Sequence, residues 1–105
     1  DFYMLGWGVP TLDSHYVFAY LLDAAGSWNA AGYNNARVNE LTAAMATEID
    51  LDKRTAMINE AWTLVQADMP YVPIHHQVLA WGLASTVDIP IAADDAFRPR
   101  YAVMQ

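Results

Sequence analysis

The chain contains no cysteine, which excludes disulfides and thiolate metal sites and suits an oxidising envelope compartment without requiring one. Basic residues are scarce: 5 Lys and Arg stand against 12 Asp and Glu, for a net charge of −7. A surface this acidic repels phosphate backbones, and no Lys/Arg cluster offsets the repulsion, so nucleic acid is not an expected partner. No apolar run approaches the roughly 18 residues that a bilayer-spanning helix needs. Ser14 and Ser27 lack a G-x-S-x-G setting, and neither a Gly-rich phosphate loop nor a dinucleotide fingerprint occurs. These absences leave no motif that requires an enzyme.

What is present is a globular composition. Of the 105 residues, 55% are hydrophobic and 12% aromatic, with four Trp and six Tyr, enough for one small domain with a core. The opening Asp1-Phe2-Tyr3-Met4-Leu5 reads as the interior of a strand rather than a signal peptide, and the chain is expected to be a piece of a larger protein. The apolar run Phe2 to Trp7 lacks polar alternation, as in strands buried on both faces. Gly6, Gly8 and Pro10 end it. Asp13 then caps a short helix through Val17, Phe18, Tyr20, Leu21 and Leu22. Residues 23–35 read as an ordered loop pinned by Trp28 and Tyr33.

Two clearer helices follow. Asn35 caps the first, with Val38, Leu41, Met45 and Ile49 along one face. Asp50 caps the second, with Asp52 in the first turn, a stripe of Ile58, Ala61, Trp62, Val65 and Met69, and Pro70 as terminator. Strands are expected at Tyr71–His76 and Val78–Leu83, with a third extended piece at Thr86–Ile89 and a tail without periodicity. The order predicts an α/β domain with a thin sheet, about three helices and at least one crossover.

Three groups of residues offer chemistry. The Gly6–Asp13 loop sits at the carboxyl end of the first expected strand, where open α/β sheets bind ligands. Trp7 there presents a flat face between two glycines, Gly8 among them, that let backbone approach closely. The other reading makes Trp7 a core residue and the glycines mere turn formers. Asp13 reads first as a helix cap and second as a ligand contact. His75 and His76, adjacent on an expected strand, point to opposite faces and cannot readily share a metal, so no metal or other cofactor is expected. One of the pair suits a cleft wall as a hydrogen-bonding or pH-sensitive group. The acidic Asp50, Asp52, Glu60 and Asp68 read as a solvated helix face beside Lys53 and Arg54, and Asp94-Asp95 as local partners of Arg98 and Arg100.

Taken in order, Tyr3-Met4-Leu5-Gly6-Trp7-Gly8-Val9-Pro10, Leu12-Asp13 with Tyr16 and Phe18, Gly32-Tyr33-Asn34-Asn35, Asp52-Lys53-Arg54, Glu60-Ala61 and Asp68-Met69-Pro70-Tyr71-Val72-Pro73-Ile74 resemble the last stretch of the family 5 extracellular solute-binding proteins. That family includes dipeptide-, oligopeptide- and nickel-binding proteins. The resemblance implies that residues 1–105 are a C-terminal fragment forming most of one lobe of a two-lobed clamp of the periplasmic binding protein type. It further implies a periplasmic or envelope-attached protein that closes on a small, peptide-like solute and delivers it to the permease subunits of an ABC importer. The candidate ligand contacts on these residues are Trp7, Gly8, Asp13 and His75, of which the resemblance matches Trp7 and Asp13.

The pattern also departs from the family. The acidic residue that holds a peptide's amino group falls near Pro10, and Ser14 replaces the proline of the family's Asp-Pro step. This points away from ordinary peptides and toward other solutes, metal chelates or modified peptides included. Two further readings stand beside transport: an interaction module that self-associates through a sheet edge, and a small hydrolase or metalloenzyme built on His75 or His76.

Overall fold

A computed structural model describes residues 3–92 and 96–104. Phe2 and the Asp94-Asp95 pair of the sequence reading lie outside the described residues. The chain divides into two compact units between Ile74 and His75.

The first unit is helical. Helix α1, Ser14–Val17, runs into a π-helical turn, Phe18–Leu22. Helices α2, Ala36–Met45, and α3, Leu51–Asp68, follow. Each starts where a short polar side chain satisfies free N–H groups. The Asp13 carboxylate accepts from the His15 N–H, Asn35 Oδ1 from Arg37 and Val38, and the Asp50 carboxylate from Lys53. The α3 end is set by Met69, left-handed at φ 49° and ψ 50°, with its N–H returning to the Val65 carbonyl. Pro70 cannot continue the helix.

The core collects one stripe from each element: Phe18, Leu21 and Leu22 from the π turn, Val38, Leu41 and Met45 from α2, Ala61 and Val65 from α3. Helix α2 packs on both α3 and the π turn. Phe18 is fully buried, its ring 4.7 Å from that of Trp62. Thr42, the one polar side chain buried among the described residues, is satisfied by donating to the Val38 carbonyl at 2.8 Å. Ile49 departs from its expected place. Helix α2 stops at Met45, so Ile49 falls in the connection to α3 and is 94% exposed.

The second unit carries a two-stranded antiparallel sheet, β1 (Val87–Asp88) with β2 (Val103–Met104), in the register Val87 to Met104 and Asp88 to Val103. A 3₁₀ turn at Pro99–Tyr101 precedes β2. Ile89 is buried, and Trp81 stacks on Phe97 with centroids 5.8 Å apart.

The described residues therefore form a small mixed fold of helices and a short sheet. The expected strands at residues 3–7, 71–76 and 78–83 form no ladder, and the described residues hold no parallel crossover. β1 falls within the expected Thr86–Ile89 piece, but its partner comes from the tail that showed no periodicity. The cause is the same throughout: an apolar run identifies a segment able to join a sheet, whereas a strand exists only where another supplies its hydrogen bonds. Without that partner, Met4, Val72, Ile74 and Val78 stay exposed.

Candidate functional site

The loop after Trp7 is built by local bonds. The Leu12 N–H donates to the Val9 carbonyl at 3.0 Å, and Leu12 takes a left-handed φ of 54° with its side chain almost wholly in solvent. A leucine there costs roughly 1–2 kcal/mol. The turn delivers Asp13 to the start of α1, where its Oδ1 accepts from the His15 N–H at 2.8 Å. A second partner comes from α3: Arg54 Nη2 lies 2.9 Å from each carboxylate oxygen. Arg54 itself is held by its Nε donating to the Met45 carbonyl at 3.2 Å. The Arg54 hydrogen bond, followed by that from His15, holds the Asp13 carboxyl below the usual aspartate range, against the opposing effect of burial. Asp13 thus serves as cap and ion-pair partner at once.

Trp7 is half-buried against the core cluster, and its Nε1–H is buried with no hydrogen-bond acceptor among the described residues. The indole begins a run of ring contacts. Trp28 lies 6.0 Å from it edge-on, Tyr16 lies 5.8 Å away at a tilt, and Tyr20 continues from Tyr16 at 4.6 Å. Tyr16 and Tyr20 are four residues apart and so share one face across the helix and its π turn. Beside them opens a shallow depression of about 400 Å³ lined by Thr11, Asp13, His15, Tyr16, Ala19 and Tyr20. Nothing lies within 4 Å of the position a Cβ would take on Gly8, so the space over that backbone is open.

The structure thus brings Trp7 and Asp13 to the same loop and helix start, with Gly8 between them in sequence. Trp7 packs against the core cluster, as one of its two sequence readings has it, and is also part of the aromatic run. His75 and His76 are exposed members of the second unit. No group of three metal-ligating side chains occurs among the described residues.

Sequence reasoning missed Asn29. Its Nδ2 donates to the carbonyls of Asp23 at 3.0 Å and Tyr33 at 2.7 Å, and its Oδ1 accepts from the Tyr33 N–H at 3.0 Å. This one amide closes the 23–35 loop that carries Trp28. Tyr33, expected as a pin, reaches further: its hydroxyl donates to Asp68 Oδ2 at 2.7 Å, where Asn35 Nδ2 also donates at 2.8 Å. Burial first, and the Asp68 carboxylate second, push the Tyr33 phenol up to about 12. Asp68 thus lies on the exposed helix face, as expected, and also serves as a tether. Glu60 is likewise engaged, by Arg37 at 2.7 Å. An Asn in a Gly/Ala/Ser-rich stretch is the signal that points to such a loop closure.

No protein-family model matches the chain, and no curated protein or solved structure matches it either.

Proposed function

We propose that this chain forms the ligand-facing part of one lobe of an extracellular solute-binding protein, which captures a small solute outside the cytoplasm and hands it to the permease subunits of an ABC importer. The protein binds and performs no chemistry. The observation that carries the reading is Trp7: a tryptophan in a glycine-flanked loop, with an unpartnered buried N–H, in ring contact with Tyr16, which lines an open depression. Few convergent polar groups on an aromatic wall are what small-molecule sites require. The motifs that resemble the family 5 binding proteins run from Tyr3 to Ile74 and all fall in the first unit.

The test is native mass spectrometry of the intact protein containing this chain, purified gently from the cell envelope, beside its Trp7→Ala variant. A retained small solute, held about tenfold more weakly or lost in the variant, is the expected result. A protein that carries nothing and responds to no di- or tripeptide, metal chelate or oligosaccharide would overturn the reading.

One further observation favours a second reading. Val78, Leu79 and Leu83 of the second unit are exposed at 87%, 50% and 44%, the kind of apolar surface that marks a protein contact. On this reading the chain is a self-associating interaction module. A concentration-dependent dimer in gel filtration, abolished by Val78→Asp and Leu79→Asp, supports it. A monomer at all concentrations removes it.

A further inference from the structure

We propose that the depression beside α1 receives a neutral polyhydroxylated ring, a sugar, with the flat face of the ring on Tyr16 and Tyr20. The inference rests on the solute-binding reading and names the class of solute.

The argument starts from charge. Asp13 is the only carboxylate among the residues lining the depression, and its charge is compensated by Arg54, whose Nη2 lies 2.9 Å from both oxygens, with Oδ1 also capping α1. Arg54 is taken in turn by Asp13 and the Met45 carbonyl. The lining therefore offers no uncompensated anion for a solute's ammonium group, and the arginine beside it is already paired. A zwitterionic peptide placed there would lose hydration at both termini without gaining a counter-charge, which is strongly unfavourable.

The remaining groups suit a ligand that is polar but uncharged. Thr11 Oγ1 accepts from the Asp13 N–H at 3.3 Å, which leaves its own O–H to donate. The phenols of Tyr16 and Tyr20 each supply a donor and an acceptor, and the His15 ring adds two nitrogens that hydrogen-bond. Alternating donors and acceptors around a flat apolar face complement a pyranose, whose hydroxyls ring its edge and whose C–H groups line its faces. The two tyrosine rings meet at 4.6 Å with a 43° tilt and make a shelf rather than a closed slot. The volume, about 400 Å³, lies within the roughly 300–1,000 Å³ of small-ligand sites.

The experiment is calorimetric titration of the intact protein containing this chain with cellotriose, maltotriose and, in parallel, trialanine. Binding of at least one trisaccharide is expected. Tyr20→Ala should weaken it about 3- to 10-fold, the measure of a lost aromatic contact, while Tyr20→Phe should lose less because the shelf remains. Tyr20 is 40% exposed, and unchanged far-UV circular dichroism checks that the alanine variant stays folded. Three results overturn the inference: trialanine bound and neither sugar bound, neither kind bound, or sugar binding indifferent to Tyr20→Ala. The first of these leaves the solute-binding reading standing, and native mass spectrometry decides that reading separately.

Discussion

Arg54 reaches across 41 residues of sequence to place one guanidinium nitrogen 2.9 Å from both carboxylate oxygens of Asp13. The pair ties the start of α1 to the first turns of α3, and the Arg54 side chain is only 22% exposed. Because Asp13 also caps α1, one carboxylate couples the loop after Trp7 to the helical core. The candidate site therefore stands on a charge that is already used.

The two roles of Asp13 separate by mutation. Asp13→Ala removes the cap, worth about 1 kcal/mol, and the ion pair, worth roughly 0.2–1 kcal/mol at a partly exposed position. Asp13→Asn keeps an oxygen for the His15 N–H and loses only the charge. Urea unfolding should rank wild type above Asn above Ala. Equal midpoints for the two variants would show that capping contributes nothing. The carboxyl is held below its unfolded value of about 3.9. Its contribution is complete above that pH and is lost as pH falls through the lower folded value. Wild type should therefore lose its advantage over Asp13→Asn below about pH 4.

The Tyr33 phenol makes the opposite prediction at alkaline pH. Its folded value of about 12 stands above the unfolded value of about 10. The stability it contributes is complete below pH 10 and is lost as pH rises toward 12. Tyr33→Phe lacks the hydrogen bond to Asp68 and should be the less stable protein at pH 8. The gap to wild type should narrow between pH 10 and 12, and a gap that stays constant would remove Tyr33 as its source.

Two glycines give a matched comparison. A Cβ at Gly26 would lie 2.6 Å from the Tyr20 carbonyl oxygen, 2.9 Å from its carbon and 3.0 Å from the Asp23 oxygen, all backbone atoms. Gly26→Ala should cost about 1–3 kcal/mol. Gly8→Ala meets nothing within 4 Å and should stay within about 0.5 kcal/mol of wild type. Thermal unfolding of both variants reads the difference directly.

Asn29→Ala should open the loop that holds Trp28. It breaks three hydrogen bonds and leaves the Tyr33 N–H and carbonyl without the Asn29 amide, at about 1–3 kcal/mol for the less accessible of them, while the Asp23 carbonyl keeps the Gly26 N–H. Amide exchange at Tyr33 should accelerate while amides in the middle of α3 keep their protection. Uniform acceleration would mean that the loop and the core open together.

Asp13, Asn35 and Asp50 could be named as caps from the chain alone, because a cap acts within three residues. The helical stripes were legible for the same reason: Val38, Leu41 and Met45 recur at helical spacing and all three are buried, whereas Ile49 fits the spacing but lies past the helix end. Trp7 was legible as a site candidate from its glycines. The Arg54–Asp13 pair, the Tyr33–Asp68–Asn35 tether, the ring contacts from Trp28 to Tyr20 and the pairing of Val87–Asp88 with Val103–Met104 were not. Each joins residues that sequence spacing does not relate, or depends on which of several similar partners comes within reach. What the amino-acid order determined by itself is the α-helices, their starts and most of their apolar faces, since those follow from interactions three or four residues long. What only the tertiary structure decided is which apolar segments found hydrogen-bonding partners and which charges were neutralised, because both depend on distances between residues far apart in the chain.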